Sequence, residues 1–196
     1  MKKQDARVAR TQEAIKAAFI SLMQDTGFSK ITVNRIAEGA GISRNTFYLH
    51  YTDKFHLLQS LEDAFLQGLR QILQQLPMEI LKEKGLDSPE PVQLMQVIYQ
   101  YMQDNAAFIS LLVHQNEDAS FFSKLTDMLT QLMQSHNLDD TLPIPRAYMA
   151  AVSAGAQLAI LRQWLHGGMQ ESPQELAQIM YMIFKNSPKH LLSSPK

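Results

Sequence analysis

The chain has 196 residues, 45% of them hydrophobic, enough apolar surface for a packed core and too much for a chain disordered throughout. It contains no cysteine, which excludes disulfides and thiolate chemistry, and no apolar run approaches the roughly 20 residues of a membrane span. The net charge of −1 hides a split: residues 1–60 are positive by four and residues 61–196 negative by five, the pattern of a basic DNA-facing module on an acidic body.

Residues 1–7 carry charges with no apolar stretch after them, so no secretory signal is expected and the chain reads as a cytoplasmic protein. A first helix is expected from about Arg7 to Thr26, with Ile15, Ala18, Phe19, Leu22 and Met23 on one face. Thr32 then suits an N-cap, and Val33, Ile36, Ala37 and Ala40 follow at helical spacing. Gly41 stands where that helix must stop and reverse, in a conformation glycine tolerates. Ile42 plugs the corner and Ser43 caps the next helix, which Phe47 and Tyr51 anchor inward. Arg44, Asn45, Thr46, Tyr48 and His50 remain on its other flanks, side chains suited to phosphates and base edges. Two short helices across a tight glycine turn make a helix-turn-helix, whose second helix enters the major groove. An ordinary pair of surface helices is the alternative; two caps, a small Ala37 and a polar second helix weigh against it.

Asp53 is read as the cap of a long fourth helix from Lys54 to about Leu76, with Leu57, Leu58, Leu61, Phe65, Leu69, Ile72 and Leu76 as its apolar stripe. All eight prolines lie from Pro77 onward and punctuate the rest into helical segments, since proline is excluded from helix interiors. Residues 77–90 read as a broken segment. Helices follow over about Pro91–Asp104, Ala106–His114, Asp118 or Ser120 to His136, Ile144–His166 and Pro173–Asn186, with a loop at 137–145 and a frayed tail. The last helix opens on Ser172-Pro173-Gln174-Glu175, a cap, a first-turn proline and a capping-box glutamate. No strand-like alternation occurs, so the expected fold is all-α. The expected division is 1–53 for the helix-turn-helix domain, 54–190 for a helical effector-binding and dimerisation domain, and 191–196 for a flexible tail.

Around the helix-turn-helix the chain resembles the TetR family of bacterial transcriptional regulators. The residues that carry the likeness are Thr32, Ile36, Ala37, Ala40, Gly41, Ile42, Ser43, Tyr48, His50, Tyr51 and Lys54, preceded by Thr26-Gly27-Phe28. Asn45 stands where the family commonly has glycine, and Tyr51 where it has phenylalanine. The resemblance implies that Thr32, Ser43, Arg44, Asn45, Thr46, Tyr48, His50 and Lys54 face double-stranded DNA, a pseudo-palindromic operator, with Thr32 and Lys54 on phosphates. It also implies that the last two helices pair with those of a second copy. Ala151, Gly155, Leu158, Ile179, Met182 and Ile183 are the expected homodimer residues. A small-molecule effector would sit among Met95, Tyr99, Met102, Phe108, Phe122, Met128 and Trp164, although any one of these serves an ordinary core equally well. The runs 105–112 and 120–125 look like the group of regulators related to a dihydroxyacetone kinase activator.

The expected function is therefore a homodimeric repressor released from its operator by an effector. The alternative is a coregulator of the same fold that acts through a protein partner. An enzyme is not expected: there is no HExxH, no phosphate-binding glycine loop and no cysteine nucleophile, and the six histidines lack ligand spacing, so no catalytic residue, metal or cofactor is assigned.

Overall fold

The computed structural model describes residues 2–75, 90–114, 119–135 and 145–185. Expectations for 76–89, for 115–118, for 136–144 and for the tail beyond Lys185 lie outside the described residues. Among the described residues there are nine α-helices and no strand: α1 (Lys2–Thr26), α2 (Val33–Gly39), α3 (Arg44–Tyr48), α4 (Lys54–Gln75), α5 (Glu90–Asp104), α6 (Ala106–His114), α7 (Ala119–Ser135), α8 (Arg146–His166) and α9 (Pro173–Lys185). A one-turn 3-10 helix over Phe28–Lys30, which the sequence pattern did not announce, links α1 to α2. None of the described helices is long and apolar enough to cross a membrane.

The chain divides into two compact units, the main division falling within α4 between Gln67 and Gly68. The sequence boundary at 53/54 marks where α4 begins. Its first turns belong with the first unit, to which they are tied: the Phe55 ring stands edge-on to Phe28 at 5.2 Å.

In the first unit, Ile15, Ala18, Phe19 and Met23 form the buried face of α1, and Phe19 meets Phe28 edge-on at 6.2 Å. α1 packs on α2 through small residues: a Cβ added to Gly39 would lie 3.2 Å from the Ala18 Cβ, so the two helices approach closely there. Ile36 and Ala37 bury the inner face of α2, as their spacing predicts.

In the second unit α5 packs on α9, and α7 on α8. Its core holds Tyr99 and Met102, Phe108 and Ile109, Phe121, Phe122, Leu125 and Met128, Leu161, Trp164 and Leu165, and Leu176, Ala177 and Met180. Trp164 organises the α8–α9 corner. Its indole N–H donates to the Glu171 carbonyl at 2.9 Å, and its own carbonyl accepts from the Met169 amide at 2.8 Å. The capping box starts α9 as expected: Glu175 Oε2 accepts from the Ser172 amide at 2.8 Å, and Ser172 Oγ accepts from the Glu175 amide at 3.3 Å. The Ser172 amide, with the Ser172 hydroxyl donating to the same oxygen at 2.7 Å, holds the Glu175 carboxyl below its usual range.

Candidate nucleic-acid interface

The turn is built from local bonds. Thr32 Oγ1 accepts from the Arg35 amide at 3.4 Å and starts α2. Gly41, at φ +64°, reverses the chain, while the Ile42 amide reaches back to the Ala37 carbonyl at 2.9 Å. An L-residue with a side chain rarely adopts that backbone, which is why glycine stands here. Ser43 then caps α3, its Oγ accepting from the Thr46 amide at 3.1 Å.

α3 has only five residues, and Phe47 is the one that is buried. The Phe47 ring lies 5.7 Å from Tyr48 and 5.8 Å from the half-buried Tyr51. Burial, with the Glu13 carboxylate nearby, raises the Tyr51 phenol above its usual pKa. Arg44, Asn45 and Tyr48 are exposed, and the Arg44 guanidinium lies 6.0 Å from the Tyr48 ring centre. His50 is half-buried, just past the helix end.

Besides Thr32, three expected contact residues also serve the fold. The Thr46 hydroxyl is 2.9 Å from the Ser43 hydroxyl, so this pair completes the cap before it meets a ligand. Lys54 turns partly inward: its Nζ donates to the Phe28 carbonyl at 2.9 Å and to the Ser29 carbonyl at 3.3 Å, and lies 4.5 Å from the Phe28 ring centre. An ammonium has three donors, so one remains beyond these two bonds. Arg35, which the sequence reading left unassigned, braces the same region by donating to Thr26 Oγ1 at 3.2 Å and to the Lys30 carbonyl at 3.3 Å. Asp53 caps α4, accepting from the His56 amide at 2.8 Å, and the His56 ring accepts from the Thr52 amide.

The Ser43 cap can be separated from any ligand role. Ser43→Ala should lower stability by about 1 kcal/mol in thermal denaturation, whereas Ser43→Asp, which still caps, should retain it.

One residue of this surface escaped the sequence reading. Leu49, directly after α3, is 82% exposed. The signal was present: with Phe47 and Tyr51 turned inward, Leu49 between them had to point out.

Two family models match this chain. One, described as bacterial regulatory proteins of the tetR family, covers residues 15–61; the other, a transcriptional regulator C-terminal region, covers residues 89–186, half of the chain. The chain belongs to the TetR family. It is 26% identical over 170 residues to YxbF of Bacillus subtilis, described as an uncharacterized HTH-type transcriptional regulator; the match takes in 86% of this chain and 43% of that protein. The chain thus spans less than half the length of this curated relative. Among solved structures, a TetR transcriptional regulator from Streptococcus agalactiae superposes with a TM-score of 0.64 at 23% identity, covering 93% of this chain and 97% of that one. The dihydroxyacetone kinase operon activator DhaS superposes with a TM-score of 0.60 at 20% identity, over 87% and 91%. These two likenesses are of fold.

Of the residues expected to line an effector site, Tyr99, Met102, Phe108, Phe122, Met128 and Trp164 are buried and Met95 is half-buried. The structure brings Tyr99 and Trp164 together, edge to face at 6.1 Å, and burial pushes the Tyr99 phenol well above its usual pKa. Arg162 lies over the Phe122 ring at 4.3 Å. Of the expected dimer residues, Ala151, Gly155, Met182 and Ile183 are exposed, while Leu158 and Ile179 are half-buried. Tyr148 and Val152, 69% and 64% exposed, extend the same α8 stripe.

Proposed function

We propose that the chain is a DNA-binding transcriptional regulator that acts as a homodimer, represses from a pseudo-palindromic operator and is released by a small-molecule effector bound in its helical body. The observation that carries the DNA reading is the outer face of α3, where Arg44, Asn45 and Tyr48 stand exposed on a helix fixed by its cap and by Phe47. Arg suits guanine, Asn adenine, and Tyr a phosphate. Thr32 accepts an amide at its cap and keeps a hydroxyl proton for a phosphate oxygen, and the Ser43–Thr46 hydroxyl pair shares one bond and has a second proton to offer.

The dimer reading rests on α8 being apolar on two sides. Ala154, Leu161, Trp164 and Leu165 are buried, yet Tyr148, Ala151 and Val152 face solvent on the same helix. With Met182 and Ile183 of α9 also exposed, this is apolar surface that a second copy would remove from water. Effector release requires that the ligand bind the DNA-incompetent dimer more tightly than the competent one.

Selection of duplexes from a random-sequence library by the purified chain, followed by gel shift, tests the central claim. A consensus made of two inverted half-sites about one DNA turn apart is expected, with a dimer by sedimentation. A folded protein that enriches no sequence at low salt refutes it. Arg44→Ala and Asn45→Ala should relax the preference at particular base pairs.

Lys54→Ala should weaken all duplexes alike, lower the salt slope of binding by about one, and reduce stability by about 1–2 kcal/mol through the lost carbonyl bonds. A changed melting curve with an unchanged salt slope would leave Lys54 a brace and not a phosphate ligand.

A further inference from the structure

The reading face has two rows. Arg44 and Tyr48 lie one turn apart in one row, and Asn45 and Leu49 in the other, where the Leu49 amide donates to the Asn45 carbonyl at 3.2 Å. The second row is half polar and half apolar. Leu49 packs on no core: it is 82% exposed, whereas Phe47, two residues earlier, is fully buried. An isolated exposed leucine is unremarkable on most surfaces. Here it continues the row of the residue best suited to adenine, with Tyr48 on one side in the chain and His50 on the other.

We propose that Leu49 is a specificity-determining residue that reads the 5-methyl group of a thymine in the major groove. This rests on the operator-binding reading above. The thymine methyl is the one apolar group that the base edges present in that groove, and an aliphatic side chain is its natural complement. Four residues of helix rise about 6 Å, close to two base-pair steps of about 3.4 Å. The thymine that Leu49 meets therefore lies within about two base pairs of the base that Asn45 reads. Asn45 and Leu49 together prefer adenine and thymine close by in each half-site, by two different chemistries: hydrogen bonding and methyl burial.

The test uses the full chain and the consensus duplex obtained from the random library. Deoxyuridine, which differs from thymidine only by the missing methyl, replaces each thymine in turn in both half-sites, and affinity is read by fluorescence anisotropy. Burying one methyl is worth about four-fold in affinity, hence about fifteen-fold for two half-sites. Wild type should show that loss at one thymine per half-site, within two base pairs of the position that Asn45→Ala relaxes. Leu49→Ala and Leu49→Gln should bind the thymidine and deoxyuridine duplexes equally. Because Leu49 is exposed, both variants should melt as wild type does. A Leu49→Ala protein that still prefers thymidine at that position overturns the assignment, as does a wild type with no methyl-sensitive thymine there. Either result, given a consensus, leaves the operator-binding reading standing; failure to select any consensus removes both.

Discussion

Phe47→Ala is expected to abolish DNA binding by unfolding the helix-turn-helix. Phe47 is fully buried and is the inward anchor of α3, and removing a buried phenyl ring from a core costs about 3–5 kcal/mol. A five-residue helix cannot absorb that loss, since helices below about 12 residues are marginal without tertiary packing. The carbonyl of Phe47 also accepts from the His50 and Tyr51 amides, so the exit from α3 depends on the same residue. Circular dichroism should show loss of the first unit with the second retained, and gel shifts should show no complex. Phe47→Leu, which keeps most of the volume, should bind more weakly but still bind. A Phe47→Ala protein with wild-type melting and affinity would mean that α3 is held by something other than this ring.

Trp164→Ala should have a comparable effect on the other unit, about 3–5 kcal/mol, since it removes the side chain that the Tyr99 ring faces and orphans the Glu171 carbonyl. Trp164→Phe keeps an aromatic ring but loses the donor and part of the buried volume, so a smaller loss of about 2 kcal/mol is expected. Trp164 is the single tryptophan of the chain, so its emission in urea reports the unfolding of its own unit in the wild type. Circular dichroism then follows both variants. Equal stability of wild type and Trp164→Ala would show that the α8–α9 corner does not depend on the indole.

Much of the first unit was legible because its signals are local. A cap is a side chain bonded to an amide three residues on, and Thr32, Ser43 and Asp53 all cap as their positions announced, as does Ser172 in the second unit. Gly41 and Phe47 followed from the same short-range logic. The inward use of Lys54 was not legible, because its partner is a backbone carbonyl 26 residues away and no periodicity marks a carbonyl. The 3-10 turn at Phe28–Lys30 that supplies it left no apolar repeat. Leu49 was not legible for a different reason: polar side chains mark a surface that meets DNA, and Leu49 is apolar. In the second unit, burial of Tyr99, Phe122 and Trp164 fits their aromatic character, but that character alone does not separate a core residue from one that lines a ligand site. The pairing of α5 with α9, distant in the chain, was likewise beyond any local pattern.

The smallness of α3 separates two kinds of inheritance. Its stability is held by Ser43 from before and Phe47 from within, while Arg44, Asn45, Tyr48 and Leu49 are exposed and contribute little to folding. Exchanges at such exposed positions ordinarily change stability by less than about 0.5 kcal/mol. Those four residues, which the proposed reading sets against the operator, can therefore change without a compensating mutation elsewhere. Drift on the outer face is open at every step, whereas Ser43 is confined to residues that still cap and Phe47 to apolar residues that still fill its place.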